Sequence, residues 1–103
     1  MLLRDIAYVR SGDKGDVASI GVIARRPEDY PAIVRSVTAE AVRRLFGEWV
    51  QGDTVVYRMD NIDAVMVVMQ RALGGGATRT LRLDQTGKAL GSALLRLPVV
   101  DGE

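Results

Sequence analysis

The chain has 103 residues, 48% of them hydrophobic and 26% charged, with 14 basic residues against 13 acidic and a formal net charge of +1. That is the composition of an ordinary globular domain, long enough to bury one core without staples. Neither cysteine nor histidine occurs, which excludes thiol nucleophiles, Ser-His-Asp triads, thiolate or imidazole zinc sites, iron–sulfur clusters and His-ligated haem. Chemistry is left to carboxylates, lysine, tyrosine, hydroxyls, backbone amides or a bound cofactor, and no pattern in the chain calls for a particular cofactor or metal.

Met1 to Arg10 alternate apolar and polar residues, with charges at Arg4 and Asp5, so no apolar segment of a secretory signal is present. No apolar run approaches the roughly 20 residues of a membrane span. A cytoplasmic protein is expected, without membrane association. Of the basic residues only Lys14 and Lys88 are lysines, and the arginines are scattered among the acids. Such a balance lacks the basic stripe that drives polyanion affinity, so no nucleic acid is expected as a partner. With no repeat or linker, residues 1–103 read as a single domain.

Leu2 to Val9 alternate like a strand, Ile6 and Tyr8 on one side and Ala7 and Val9 on the other. The stretch RSGDKGD, Arg10 to Asp16, reads as a loop. Val17 to Ala24 is β-branched and almost uninterrupted by polar residues, a strand buried on both faces. Seven residues are too few for a parallel crossover, so the two strands form a hairpin. Pro27 then opens a helix whose stripe is Tyr30, Ile33, Val34 and Val37. Thr38 reads as the N-cap of a second helix with Val42, Leu45, Phe46 and Trp49 on its stripe and Gly47 near its end, one continuous bent helix being the alternative. Asp53 to Met59 is a third strand with Val55, Tyr57 and Met59 on one face.

Asn61 can cap Ile62 to Leu73, whose length and trailing glycines favour a helix, while its valines and methionines keep a strand open. As a helix it carries more apolar surface than one buried side needs, which points to a partner or to deep burial. Thr78 to Leu83 alternates as a fourth strand, DQTGK turns, and Ala89 to Leu95 is a short helix or a fifth strand ending at Pro98. These elements specify an α+β fold, a two-layer ferredoxin-like sandwich with a four-stranded mixed sheet and helices on one face.

Three stretches are candidates for chemistry. Ser11, Gly12, Asp13, Lys14, Gly15 and Asp16 concentrate glycines, acids and a lysine, so that backbone amides and one cation can turn toward a phosphate or carboxylate; the competing reading is a solvated hairpin turn. The stretch is neither a phosphate-binding GK[ST] loop nor GxGxxG. Gly74, Gly75 and Gly76 exceed what one helix cap requires, and they share a rim with the first stretch if the strand after them runs parallel to Val17–Ala24. Asp84, Gly87 and Lys88 form a second cluster that a plain turn explains as well; a lone carboxylate makes a poor metal site, and none is expected.

The ordered combination RSGDKGDxxxIGVIAR, a tyrosine, TAEAV, ALGGG and LRxDxxGKALG, spread from Ile6 to about Leu95, resembles the AtuA-like family, the carboxy-terminal ferredoxin-fold domain of acyclic terpene utilisation proteins. The chain is similar to the stand-alone small form, since it begins at the first strand. The resemblance implies a ferredoxin-like fold and a setting in acyl-CoA catabolism of terpenoid or branched acids. It supplies no catalytic assignment, and the candidate residues above are carried as motif positions only.

Two functions follow as expectations. One is an accessory subunit that binds a larger AtuA-type protein or itself as an oligomer, with the glycine-rich rim contributing an anion site. The other is an independent binder or enzyme for an acyl-CoA or another anionic small molecule, working through Asp, Lys and backbone amides. A third, an RNA-binding module using Tyr8 and Tyr57, lacks the basic, aromatic-rich signature.

Overall fold

The computed structural model describes residues 1–14, 17–47, 52–70 and 90–100, the side chains of Asp13 and Lys14 excepted. Four strands, β1 (Ala7–Lys14), β2 (Val17–Ala24), β3 (Thr54–Met59) and β4 (Ala64–Gln70), form one sheet in the order β1-β2-β4-β3. Between β2 and β3 lie α1 (Tyr30–Ser36) and α2 (Ala39–Phe46). A short helix, α3, covers residues 90–94.

Every neighbouring pair is antiparallel: β1 and β2 register from Ala7↔Ala24 to Lys14↔Val17, β2 and β4 from Ile23↔Ala64 to Val17↔Gln70, and β4 and β3 from Ala64↔Met59 to Met69↔Thr54. Since β2 and β3 both run against β4, they run parallel to each other with β4 inserted between them. This is the split βαβ arrangement of ferredoxin-like folds. The two-layer α+β class expected from the sequence is therefore present. The expected mixture of parallel and antiparallel neighbours is corrected, because among the described strands the parallel pair never becomes adjacent.

The main correction concerns the expected helix from Ile62 to Leu73. Asp60–Ile62 make a single 3-10 turn, Asp63 takes left-handed angles (φ 52, ψ 48), and the chain then enters β4 rather than a helix capped by Asn61. Aspartate tolerates that conformation better than most residues. The physical reason for the misreading is location. In this interior strand Val65, Val67 and Met69 fill the helix side and Met66 and Val68 the other, so no polar alternation marks it. Its surplus of valine and methionine thus belongs to an interior strand apolar on both sides, not to a helix.

The hairpin loop is also shorter than expected, since β1 continues through Lys14 and only two residues separate the paired Lys14 and Val17. The strand expected to be buried on both faces, β2, buries Ala18, Ile20 and Val22 on the helix side, whereas Val17, Ser19 and Ile23 on its other side are only half-buried. The helix expectations between β2 and β3 hold. Two helices form rather than one, the Thr38 side chain accepting the Ala41 amide at 3.1 Å, and Gly47, at φ 56, follows the last turn of α2. The C-terminal element is a helix, and Pro98 makes an isolated bridge to Leu2. The expected strand Thr78–Leu83, the DQTGK turn and Trp49 lie outside the described residues.

Helices α1 and α2 pack on the face of the sheet carrying Ala18, Ile20, Val22, Val65, Val67 and Met69, all buried. Ile33, Val42 and Phe46 enter from α1 and α2, while Leu90 and Leu94 enter from α3. Full burial of each such aliphatic side chain contributes about 1.5–3 kcal/mol. The two ends of the described chain close this core together. Leu3 and Arg4 amides donate to the carbonyls of Leu97 and Leu95 at 2.8 and 2.9 Å, and Val99 donates to Met1 at 2.9 Å. Buried Ser36 donates to the Ala32 carbonyl at 2.7 Å and accepts the Val100 amide at 2.8 Å, tying the last described residue to α1.

Gly52 meets Gln70 across the end of the β3–β4 ladder: its amide donates to the Gln70 carbonyl at 3.0 Å, and the Gln70 amide donates to Asp53 at 2.9 Å. A Cβ on residue 52 would lie 2.7 Å from the Gln70 Cβ and 2.8 Å from its carbonyl oxygen, whereas one on Gly21 meets nothing nearer than 3.8 Å. Gly52→Ala is expected to cost about 1–3 kcal/mol, as overpacking does. Gly21→Ala is expected to be neutral or slightly stabilising, because alanine removes chain entropy. Urea unfolding of both variants checks the contrast, which fails if the two midpoints move together.

Candidate functional site

The glycine-rich stretch is divided by the strand it joins. Ser11 and Gly12 are exposed and belong to β1, Ser11 pairing with Ile20 and Gly12 with Ser19, so alternation assigns them to opposite faces of the sheet. Ser11 lies on the helix side, where a Cβ added to Gly91 of α3 would stand 3.1 Å from its hydroxyl oxygen. Gly12 lies on the other side, its carbonyl 3.5 Å from the Ser19 hydroxyl. Asp13 and Lys14 continue the ladder opposite Ala18 and Val17. Gly15, Asp16, Gly74, Gly75, Gly76, Asp84, Gly87 and Lys88 lie outside the described residues. The backbone does supply one relevant placement: β4 ends at Gln70 opposite Val17, at the sheet end where β1 runs into β2.

No described helix covers the second face of the sheet. Its residues fall in rows across β1, β2, β4 and β3: Tyr8, Ile23, Ala64 and Met59; then Arg10, Gly21, Met66 and Tyr57; then Gly12, Ser19, Val68 and Val55. Tyr8 and Tyr57 are 54% and 55% exposed and Val55 is 40% exposed. All the described helices sit on the opposite side. Arg25 stacks its guanidinium 4.3 Å from the centre of the Tyr8 ring, a cation–π contact that stiffens one border of the face. In the rows through Gly21 and Ser19 the β1–β2 half is small, Arg10 apart, and the β4–β3 half bulky and apolar, whereas the first row sets Tyr8 and Ile23 beside Ala64 and Met59.

A third cluster joins α1 to the β3–β4 connection. The Tyr30 hydroxyl lies 2.6 Å from Asp60 Oδ1 and 3.1 Å from the Ala64 carbonyl, and Arg58 Nε donates to the same Asp60 oxygen at 3.1 Å. Burial of Tyr30, only 8% exposed, raises its pKa above the ordinary 10.0, and the Asp60 carboxylate adds to that. The hydroxyl and then the Arg58 guanidinium hold Asp60 below the ordinary 3.8. Hydrogen bonding to Asp60 raises Arg58 in turn. Both acid groups move away from neutrality, opposite to what a general acid or base requires. The cluster acts as a clasp.

Helices α1 and α2 and the C-terminal segment enclose a groove of about 350 Å³ lined mainly by apolar residues, with Arg44 at its edge held 3.5 Å from Glu40. Among the described residues no cluster of three acidic side chains could hold a metal ion, and no helix is long and apolar enough to cross a membrane.

Comparison with known proteins agrees with this architecture: the family model of the AtuA ferredoxin-like domain matches residues 1–100. The chain belongs to that family. No match was found among the curated proteins or among the solved structures. The match covers α1, α2, all four strands and α3, so the open face and the clasp both belong to the family domain and not to an appendage.

Sequence reasoning missed the clasp because its members lie 30 residues apart and only the chain reversal after β3 brings Asp60 under α1. Arg58 and Asp60, two residues apart, were its one local signal. The open face was half legible, since alternation placed Val55, Tyr57 and Met59 together without saying that this side is left uncovered.

Removing the clasp hydroxyl in Tyr30→Phe is expected to cost about 1 kcal/mol near neutral pH. A raised tyrosine pKa stabilises the fold below 10.0, a contribution lost as pH rises through the native value. A lowered aspartate pKa stabilises it above 3.8, a contribution lost as pH falls through the native value. The stability gap between wild type and Tyr30→Phe is therefore widest between those limits and narrows outside them. Urea midpoints measured across pH check this, and a gap independent of pH contradicts it.

Proposed function

We propose that this domain is a small accessory subunit of an AtuA-type assembly in the cytoplasm, linked to acyl-CoA catabolism of terpenoid or branched acids. It works by contact with a larger AtuA-type protein or with itself. The observation that carries the reading is the open sheet face with Tyr8, Tyr57 and Val55 exposed. Contiguous apolar surface of this kind marks interaction sites, and aromatic side chains at the centre of a contact carry most of its energy. The clasp and the tied termini support the same reading, because they fasten α1 and the two ends of the described chain on the side away from that face. Co-expression with a larger AtuA-type protein is expected to yield a co-purifying complex that Tyr57→Asp weakens at least tenfold. Retention unchanged by Tyr57→Asp removes the open face from the contact.

Beside that face we assign the glycine-rich rim to an anion, with Ser11 to Asp16 and Gly74 to Gly76 as its candidate residues. Support comes from the shared sheet end of β1, β2 and β4, where Lys14 pairs with Val17 and Gln70 lies opposite Val17. Thermal-shift measurements with CoA esters are expected to show a rise in melting temperature that Lys14→Ala abolishes. No shift, or an equal shift in the variant, contradicts the rim assignment and leaves the accessory role to stand on the open face alone.

A further inference from the structure

We infer that the open sheet face pairs with the same face of a second copy of this chain, the twofold axis running along the strands between β2 and β4. The inference rests on the reading of this face as a contact surface and names its occupant. The rows across the sheet are complementary to themselves under this rotation. Rotation about an axis along the strands carries each β3 position over β1 and each β4 position over β2 while keeping every residue in its row. Val55 then covers Gly12 of the second copy, Val68 covers Ser19, and Met66 comes over Gly21. Tyr57 is set against Arg10, an exposed cation to which no other described residue is ion-paired. In these two rows small residues lie under bulky ones and a guanidinium meets an aromatic ring, while in the first row Ile23 lies over Ala64 and Tyr8 over Met59.

The competing twofold axis, across the strands through the middle row, stacks β1 on β1 and β3 on β3. It sets Arg10 against Arg10 and Gly21 against Gly21 beside Met66 on Met66 and Tyr57 on Tyr57, so like charges meet and a gap opens next to a bulky pair. Met66 suits the first arrangement further. Its methyl already lies 3.8 Å from the position a Gly21 Cβ would take, and an unbranched thioether adapts to a second methionine at the centre of the contact. Aligned sheets pack about 10 Å apart with strands inclined by about 30°, so the middle rows match best.

Area sets the strength. Four strands about 4.8 Å apart and seven residues at about 3.3 Å each give a footprint of roughly 450 Å² per copy, hence roughly 900 Å² for the pair before side-chain relief is counted. That lies near the lower bound for specific interfaces, so the dimer should be weak and dependent on concentration, with dissociation in the micromolar range or above.

Sedimentation velocity of the full chain, from micromolar to millimolar concentration, is expected to show a monomer–dimer equilibrium. Tyr57→Arg places two guanidinium groups together at each end and is expected to weaken the dimer by about tenfold or more. The exchange Arg10→Tyr with Tyr57→Arg is expected to restore it. Positions 10 and 57 of one chain stand three strand spacings apart, about 14 Å, so the rescue must pass between copies. Should Tyr57→Arg fold poorly, the absence of native cysteine permits a second measurement. Arg10→Cys with Tyr57→Cys is expected to link into covalent dimers with a short bismaleimide faster than Tyr57→Cys alone. A strict monomer at millimolar concentration, a dimer indifferent to Tyr57→Arg, or equal cross-linking of the two cysteine variants overturns the inference. A monomer that still binds a larger AtuA-type protein in a Tyr57-dependent way overturns the second copy as occupant and leaves the accessory reading intact.

Discussion

The ladder that β4 makes with β2 on one edge and β3 on the other is the constraint from which the rest follows. Without β4 the chain would have two separated strand pieces, and the crossover through α1 and α2 would have no sheet to return to. Insertion of β4 brings Val65, Val67 and Met69 beneath the helices, where they are fully buried. It also forces the tight reversal after β3, and the reversal delivers Asp60 to Tyr30. One strand thus sets the core, the topology and the only cluster of shifted titrations among the described residues. The left-handed turn at Asp63 is the local cost of that reversal, borne by a residue type suited to it.

An interior strand also explains why the two faces differ. All the described helices lie on one side, so the apolar residues that β4 needs on its other side have no cover from α1, α2 or α3. Met66 and Val68 on the interior strand are half-buried, whereas Tyr57 and Val55 on β3 are exposed. An exposed apolar face follows directly from placing a two-sided strand in a two-layer fold. Sheets with one solvated face usually put polar residues there. This chain supplies Arg10 and Ser19 but fills half of the twelve positions in the three rows with tyrosine, methionine and valine.

How much was legible in the sequence can be judged from two segments of similar composition. Val17 to Ala24 was readable as a buried strand because turn-forming residues bound it closely and its length suits no helix. Ile62 to Leu73 was not, because apolar residues run without alternation and helix-like punctuation follows, so the period carries no information. The deciding fact is non-local: whether strands flank the segment on both sides. The same limit hid the clasp, in which Tyr30 fits a helical stripe equally well as a core residue. Its partner is settled only once β3 and β4 reverse. For the glycine-rich stretch, composition predicted a loop where Ser11 to Lys14 extend β1, since glycine and serine in an edge strand cost little when the pairing partner β2 is strongly β-forming. The class of the fold survived these errors because it depends on the number and order of elements more than on the identity of any one.

The absence of histidine and cysteine acquires a sharper meaning from the geometry. Absence alone removes mechanisms but leaves tyrosine and carboxylates able to move protons. The one place where such groups meet among the described residues holds a tyrosine shifted up and an aspartate shifted down, each stabilised in the state it already occupies at neutral pH. A pair tuned to exchange protons would be shifted toward neutrality by burying the carboxylate and exposing the hydroxyl to a cation. Here burial falls on the phenol and the cation falls on the carboxylate, which is the arrangement that locks two elements together. Among the described residues these shifted groups thus tie α1 to the reversal between β3 and β4, each held in the protonation state in which it makes that tie.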